Sequence, residues 1–297
     1  MLSILIPVYN TSVIELVSRI LEMIKRLDID YEIRIADDAS TDKNLKAENQ
    51  KLTKHKNCFY HTFTKNKGRT ATRQFLAEQA HYKHLLFFDA DVMPLRENFL
   101  QIILEYLGKA SVVFGGVTYP EKPSDNTKLL RYYYGKSRES KPATKRNKKP
   151  YLSLISQHLL IEKSVFLACN PAEEKAYGLD IYFSYLLQKQ KVSVLHIDNP
   201  TLHLGLETNA QYLVKTHEGL QTMVNLEKAK KLPEDYRPLQ RVGSALKKTG
   251  IHKQLLKLIK KRESQLIKNL CGTKPNLRLF DLYRLDYYLK LKQNAQD

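Results

Sequence analysis

The sequence predicts an α/β fold in which helices flank a doubly wound, mainly parallel β-sheet. Short apolar segments of strand length alternate with helical segments through the first 95 residues, which gives the order β-α-β-α-β-α-β. Hydrophobic residues make up 42% of the chain, enough for a substantial core. Acidic clusters directly follow two of the apolar segments, at the strand ends where open α/β sheets bind their ligands.

The first strand is predicted at Leu2–Val8, which is mostly apolar and too short for a helix. The next segment has apolar residues at helical spacing, so a helix is predicted over 13–27. The remaining elements of this half alternate in the same way: a strand over 31–36, a helix over 43–55, a strand over 58–63, a helix over 70–80 and a strand over 85–88.

Beyond residue 95 the pattern is mixed. Strands are predicted over 112–118, 151–161 and 192–197, with a helix over 180–189. The segment 136–150 is rich in Lys, Arg, Ser and Pro and nearly lacks apolar side chains. It is therefore predicted to be a mobile surface loop, either simply solvated or acting as a lid. From residue 209 onward the chain is helix-prone and very basic.

The chain carries 49 Lys and Arg against 31 Asp and Glu, a net charge of +18. This balance predicts an anionic partner such as a nucleotide, a nucleic acid, an anionic lipid or a phosphorylated substrate. Cys58, Cys169 and Cys271 form no CxxC pair, which argues against a zinc site and suits a reducing cytoplasm. We see no signal peptide and no apolar segment of about 18 residues, so a cytoplasmic location is expected.

Two acidic clusters are the candidate functional features. Asp89 and Asp91 follow the fourth predicted strand with one residue between them, an arrangement that can hold Mg²⁺ or Mn²⁺ because these cations prefer oxygen ligands. The alternative is an ordinary turn, and the position after a buried strand favours the metal. Asp37 and Asp38 follow the second strand and can accept hydrogen bonds from a base or a ribose, although the residues alone favour turn chemistry.

Four segments resemble motifs of the family-2 glycosyltransferases, in the same order and with matching spacing. They are Ile4 to Asn10 (hhhPxYN), Asp37 to Asp42 (DDGSTD, with Ala39 for Gly), Asn66 to Gln74 (NxGxxxARN, with Thr72 for Ala and Gln74 for Asn) and Phe88 to Val92 (hLDADD, with Val92 for the last Asp). The resemblance covers roughly residues 1–205 and is strongest in the first 95.

This resemblance implies a GT-A fold and an inverting transfer of sugar from a nucleotide-sugar, with UDP as the expected nucleotide and Mn²⁺ or Mg²⁺ as cofactor. It also implies the roles of individual residues. Pro7, Tyr9 and Asp38 would line the base and the ribose, Arg73 would lie near the diphosphate, Asp89 would face the ribose or the metal, and Asp91 would be the main metal ligand.

The family's catalytic base is usually the Asp of a GED or TED motif, and Asp180 occupies the matching position with Leu179 in place of Glu. A carboxylate there could take the proton of the acceptor hydroxyl. Glu173 and Glu174 are rival candidates, and an N-cap is the structural alternative for Asp180. His203 is a candidate further metal ligand by resemblance to other GT-A enzymes, and the alternative is a packed or hydrogen-bonded loop histidine. In the family, the strand that Gln157 and His158 precede borders the acceptor and the donor sugar.

The resemblance divides the chain into a catalytic domain over 1–208, with a nucleotide-binding half (1–95) and an acceptor half (96–208), followed by a basic helical region over 209–297. Two C-terminal helices, over 251–267 and 277–291, are basic and amphipathic. They are expected either to lie on an anionic membrane surface or to pack their apolar faces on protein.

The expected function is transfer of a sugar from a UDP-sugar to a saccharide or lipid-linked acceptor in surface polysaccharide assembly. The sequence leaves two alternative functions. A nucleotidyltransferase should carry a Gly-rich phosphate loop after the first strand, where this chain has Pro-Val-Tyr-Asn. A basic nucleic-acid-binding protein is permitted by the charge, but no recognisable nucleic-acid-binding motif is present, and no nucleic-acid partner is expected.

Overall fold

The computed structural model describes residues 1–293 and divides the chain into two compact units. Unit 1 comprises Met1–Tyr119, Glu139–Lys175 and Leu186–Gly205. Unit 2 comprises Pro120–Arg138, Ala176–Tyr185 and the chain from Leu206 onward. The domain boundary after residue 208 stays a prediction, and unit 2 also takes in two segments that precede it.

The strands lie in unit 1, in two sheets. They are β1 (Leu2–Val8), β2 (Tyr31–Asp37), β3 (Cys58–Thr62), β4 (His84–Phe88), β5 (Val92–Pro94), β6 (Val112–Phe114), β7 (Val117–Thr118), β8 (His158–Glu162), β9 (Val194–His196) and β10 (Thr201–His203). The larger sheet has the order β3-β2-β1-β4-β8-β6-β9, in which only β8 runs antiparallel to its neighbours. The prediction of a mainly parallel α/β sheet is confirmed.

The helices confirm most of the predicted helical segments, although several of their bounds differ from the predicted ones. They are α1 (Ile14–Ile24), α2 (Lys43–Gln50), α3 (Arg69–Gln79), α4 (Phe99–Glu105), α5 (Leu129–Tyr134), α6 (Ala143–Arg146), α7 (Lys163–Cys169), α8 (Asp180–Lys189), α9 (Asn209–Lys228), α10 (Pro238–Lys248), α11 (His252–Lys261), α12 (Glu263–Leu270) and α13 (Leu277–Gln293). The buried face of α1 packs with the sheet and α4 into the main core.

The register of the large sheet brings the predicted site residues to one edge. Val8 pairs with Asp37 at the ends of β1 and β2, and the Asp38 N–H donates to the Val8 carbonyl at 2.8 Å. β4 lies on the other side of β1 and ends at Phe88, directly before Asp89. The carboxyl ends of three neighbouring parallel strands therefore carry both acidic clusters at the same edge, as expected for this class of fold.

A small second sheet, which the sequence did not predict, has the order β5-β10-β7. β10 pairs antiparallel with β5, so that His203 lies opposite Val92. The Leu204 N–H also donates to the Asp91 carbonyl at 2.8 Å. This sheet therefore joins residues about 110 positions apart in sequence and fixes His203 beside the end of the acidic cluster.

The prediction of a solvated loop over 136–150 is wrong at Arg146, which is buried. Its guanidinium donates to the carbonyls of Phe114, Gly115 and Ile197 at 3.1, 3.2 and 2.7 Å. A guanidinium has five N–H donors, so one side chain can satisfy several carbonyls where strands end. Composition alone misassigned the segment because this one arginine is a core residue rather than a solvated one.

Unit 2 is helical and has its own apolar core. The core contains Leu130, Leu213, Leu266, Leu270, Phe280 and Tyr283. The aromatic face of α13 is thus buried inside this unit, which favours the packing alternative for that helix over a membrane role. Within the described residues, none of the helices combines the length and apolarity needed to span a bilayer.

Candidate active site

The carboxylate of Asp38 is buried and binds the backbone at the start of α3. It accepts hydrogen bonds from the N–H groups of Lys67 and Gly68 at 2.6 and 2.8 Å. The neighbouring Asp37 has a different task, since it accepts from the Ser40 N–H at 2.7 Å and the Tyr60 hydroxyl at 2.8 Å. Asp37 therefore stabilises the turn that follows β2, whereas Asp38 links the end of β2 to the N-terminus of α3 by hydrogen bonds.

Two arginines on α3 reach Asp89 from the same side. Arg69 Nη2 lies 2.7 Å from Asp89 Oδ2, and Arg73 Nη2 lies 2.6 Å from Asp89 Oδ1. The arginines are four residues apart and share a helix face. Both also bind Ser156, Arg69 at the hydroxyl oxygen and Arg73 at the carbonyl. The three charged side chains therefore form one network that joins α3, the end of β4 and the segment before β8.

Asp91 faces His203, with 3.2 Å between Asp91 Oδ2 and His203 Nε2. Burial raises the pKa of Asp91, but hydrogen bonding and charge from His203, and the charge of Arg69, more than offset it, so the pKa is lowered overall. The carboxylate is therefore ionised at neutral pH. His203 is buried while Asp91 keeps a partly exposed side chain, which leaves the carboxylate open to solvent or ligand.

Pro7 and Tyr9 lie at the end of β1 beside the same edge. Tyr9 is exposed, and Asn10, with φ +48°, turns back so that its Oδ1 accepts from the Thr41 and Asp42 N–H groups at 2.8 and 3.1 Å. The loop after β1 is thereby hydrogen-bonded to the loop after β2. Pro7, Tyr9 and Asp38, which were predicted to act together, are thus brought together by the backbone.

A family model identifies the protein family to which the chain belongs. The model of glycosyl transferase family 2 matches residues 3–165, more than half of the chain. The chain belongs to this family. It is a glycosyltransferase, and the predictions of family, enzyme class and GT-A fold are confirmed. No curated protein shows a significant sequence match.

Solved structures resemble this family-2 glycosyltransferase in fold. The S. aureus TarS fragment 1–349 is similar with a TM-score of 0.53 and 15% identity, over 99% of this chain and 91% of that one. The mannosyltransferase PcManGT from Pyrobaculum calidifontis, solved with GDP-Man and Mn²⁺, has a TM-score of 0.60 and 13% identity over 99% and 86%. TarS with UDP-GlcNAc has a TM-score of 0.51 and 13% identity over 99% and 91%.

The residues of the glycosyltransferase fit a divalent cation at Asp91 and His203, but they do not build a complete set of ligands. A carboxylate oxygen and an imidazole nitrogen suit Mn²⁺ or Mg²⁺ that completes its shell with water and phosphate. Asp89, predicted as a further ligand, is instead held by Arg69 and Arg73. Within residues 1–293, no group of three His, Cys, Asp or Glu side chains could hold a metal.

Asp180 is the first residue of α8 and belongs to unit 2. The turn before it depends on Gly178, which has φ +87° and lies against Gly219 of α9, so that a Cβ at position 178 would be 2.9 Å from the Gly219 Cα. Burial lowers the pKa of Arg237, and the negative charge of Asp180, which lies in the same unit, partly opposes this shift. The rival Glu173 and Glu174 lie in unit 1.

The sequence motifs did not single out Arg69 or Ser156. Arg69 could have been found from its spacing to Arg73, because residues four apart on a helix share a face. Ser156 carries no comparable signal, since it lies in an irregular segment before β8. Gln157, which precedes the strand that the resemblance places beside the acceptor and the donor sugar, uses its backbone carbonyl to accept the Asp89 N–H at 2.7 Å.

Proposed function

We propose that this protein is an inverting glycosyltransferase that moves a sugar from a UDP-sugar to a saccharide or lipid-linked acceptor. The observation that carries the proposal is the convergence of Asp38, Asp89 and Asp91 at one edge of the unit 1 sheet. Asp38 and Asp89 both bind the start of α3, and Asp91 binds His203. The TarS structure with UDP-GlcNAc and the PcManGT structure with GDP-Man support a nucleoside diphosphate sugar as donor.

The nucleotide is assigned to the strand ends of unit 1. Pro7, Tyr9 and Asp38 would line the base and the ribose, since they lie together after β1 and β2. Arg73, with Arg69 beside it, would face the diphosphate, because paired guanidinium groups bind phosphate oxygens well. The positive end of the α3 dipole also favours an anion there.

We assign the divalent cation, Mn²⁺ or Mg²⁺, to Asp91 and His203, with Asp89 kept as a candidate ligand that would have to leave its arginine partners. The cation would neutralise the charge that develops on the departing diphosphate. The Mn²⁺ in the PcManGT structure supports this assignment. The lowered pKa of Asp91 keeps its carboxylate charged for such a role at neutral pH.

Asp180 is proposed as the catalytic base. Its carboxylate would take the proton of the acceptor hydroxyl while the hydroxyl oxygen forms a bond to the anomeric carbon. The bond between that carbon and the phosphate oxygen breaks at the same time, and its electron pair leaves with the diphosphate. Attack on the face opposite the leaving group inverts the anomeric configuration.

The proposal is tested with a panel of nucleotide-sugars, scored for Mn²⁺-dependent hydrolysis and thermal stabilisation. We expect a UDP-sugar to be preferred. Asp180→Asn should keep donor binding and lose turnover by about 10²–10⁴-fold, the usual contribution of a general base. Asp91→Ala should lose the Mn²⁺-dependent binding itself. The proposal is wrong if calorimetry with Mn²⁺ detects no UDP-sugar binding and Asp91→Ala behaves like the parent.

A lipid-linked acceptor in surface polysaccharide assembly would place the enzyme at an anionic membrane surface. The helices α11 and α12 of unit 2 support this part of the proposal, because Ile251, Leu258 and Ile267 are exposed among basic residues. Exposed lysines accompany them, namely Lys253, Lys257, Lys260, Lys261 and Lys268. Such a surface suits anionic lipid headgroups.

Flotation with vesicles tests the membrane part separately. We expect binding to vesicles of phosphatidylserine and phosphatidylcholine, and none to phosphatidylcholine alone. Replacing Lys253, Lys257 and Lys260 together by Glu should abolish it. The matched control replaces the exposed Lys145, Lys148 and Lys149 of unit 1 by Glu. If both triple variants lose binding equally, the attraction is due to net charge and not to α11.

A further inference from the structure

Tyr177 is a large aromatic residue that remains 46% exposed in unit 2. It lies three residues before Asp180, in the loop from which α8 begins. Most aromatic side chains of this size gain free energy by burial, so an exposed ring held in place beside a catalytic residue is a candidate for binding. The contacts around Tyr177 determine whether the ring is held.

Residues of helix α9 lie against the Tyr177 ring. Lys215 Nζ lies 5.7 Å from the ring centroid, and a Cβ at position 219 would be 3.6 Å from Tyr177 Cδ1. Lys215 and Gly219 are four residues apart and therefore share one face of α9. Because Gly219 has no side chain, the ring can lie against the helix backbone, which limits how far it can move.

Lys215, the cation over the Tyr177 ring, belongs to a cluster of charged side chains. Lys215 Nζ lies 2.6 Å from Glu207 Oε1, and the other Glu207 oxygen lies 3.6 Å from Arg131 Nε. The carboxylate thus lies between two cations, which fixes Lys215 beside Tyr177. Lys215, which lies over the ring, supplies a donor of hydrogen bonds, and Glu207 beside Lys215 supplies an acceptor, as carbohydrate hydroxyls require.

The backbone between Tyr177 and Asp180 is fixed as well. Gly178 has φ +87°, a conformation that favours glycine, and packs against Gly219 at a distance that leaves no space for a Cβ. The Ile181 N–H then donates to the Gly178 carbonyl at 3.2 Å, in the first turn of α8. One packed turn therefore sets the spacing between the aromatic ring and the carboxylate of Asp180.

We infer that Tyr177, with Glu207 and Lys215 beside it, forms a subsite for a pyranose ring of the acceptor. The inference rests on the proposed function, because a catalytic base at Asp180 requires the acceptor hydroxyl to bind beside Asp180 and therefore near Tyr177. One face of a pyranose presents C–H groups that suit the negative face of an aromatic ring, while its hydroxyls reach polar neighbours. The uracil of the donor could also stack on a tyrosine, so the experiment must separate the two ligands.

Saturation-transfer difference NMR makes this test, with the methyl glycosides of glucose, galactose, mannose and N-acetylglucosamine as probes. We expect at least one glycoside to receive saturation at its ring C–H protons. Tyr177→Leu should reduce the signal about fivefold, and Tyr177→Phe should keep it. Calorimetry with UDP and Mn²⁺ on the same samples should give equal affinities for all variants.

The matched control is Phe59→Leu in unit 1. Phe59 is also 46% exposed and has a cation over its ring, with Arg34 Cζ at 4.7 Å from the centroid. Loss of signal in this variant, equal signal in Tyr177→Leu, or no signal from any glycoside with the parent protein would overturn the subsite. A fall in UDP affinity in Tyr177→Leu would assign the ring to the donor instead. Absence of UDP binding in the parent would instead count against the proposed function.

Discussion

Gly205 lies directly against the carboxylate of Asp91, so that a Cβ at position 205 would overlap Asp91 Oδ2. The contact follows from the small sheet, because β10 ends at His203 and the chain then passes over Asp91. Glycine at this position lets the backbone approach the carboxylate closely. Residues 203 and 205 therefore fix Asp91 from two sides, one by a hydrogen bond and one by contact.

Gly205→Ala should displace the Asp91 carboxylate from His203 and weaken Mn²⁺-dependent UDP binding by at least about tenfold, since metal sites need their ligands closely positioned. Calorimetry with UDP, with and without Mn²⁺, measures the effect. Leu204→Ala is the matched control, because Leu204 is the exposed neighbour and its backbone contact with Asp91 does not depend on its side chain. Equal metal dependence in the two variants would contradict the assignment of Asp91.

Arg69→Ala should weaken UDP binding about tenfold, which corresponds to about 1.4 kcal/mol. The change removes a positive charge and leaves Asp89 Oδ2 without the guanidinium that lies 2.7 Å away. Arg69→Lys should recover part of the affinity, because it restores the charge without the planar fork. Arg26→Ala serves as the control, since Arg26 forms a solvent-exposed pair with Glu97. Unchanged UDP affinity in Arg69→Ala would remove Arg69 from the donor site.

The parts of the fold that could be predicted from the sequence are those set by local pattern. β1, β2 and β4 are apolar segments of strand length followed by acidic residues, so both the strands and their functional ends were recognisable. The family motifs have fixed spacing, so it could be predicted that Asp38, Asp89 and Asp91 lie at the same edge of the sheet. The carboxylates were therefore grouped correctly, although the partners of each one could not be deduced.

The parts that could not be predicted depend on contacts between distant residues. The pairing of β10 with β5 brings His203 to Asp91, yet both strands have only three residues and show no period. Arg146 lies in a basic segment, and its hydrogen bonds to carbonyls at the ends of β6 and β9, which the sequence does not reveal, make it a core residue. In α13 the same amphipathic pattern suits a membrane or a protein core, and the packing of unit 2 decides between them.

His158→Gln should reduce the loss of stability in mild acid. Burial, and then the charge of Arg146, lowers the pKa of His158 to about 3, against about 6.5 when unfolded. The unfolded chain therefore binds one more proton between these values, and the free energy of unfolding falls as pH drops below about 6.5. At pH 5 this histidine alone removes about 2 kcal/mol.

Urea unfolding at pH 7 and pH 5 measures the effect of His158→Gln. Glutamine can still accept the Gly115 N–H and donate to Thr201 Oγ1, the two partners of the imidazole. His196 has a pKa lowered to about 4, chiefly by burial, so part of the acid sensitivity should remain. A variant that loses as much stability as the parent between the two pH values would show that His158 is not the titrating group.

Glu32→Gln should destabilise unit 1 at neutral pH by about 3 kcal/mol, the usual cost of breaking a buried ion pair. Burial raises the pKa of Glu32, but hydrogen bonds from Ser3, His81 and Arg34 more than offset this, so the pKa is lowered overall. The carboxylate therefore adds stability that is complete above the unfolded pKa of about 4.5 and is lost as pH falls through the lower folded pKa. Guanidinium unfolding from pH 7 into acid should show the variant and the parent converging as the pH falls through the lower folded pKa, because the parent's carboxylate then becomes protonated too. A difference that stays constant across this range would mean that Glu32 stabilises the sheet by shape and hydrogen bonding and not by its charge.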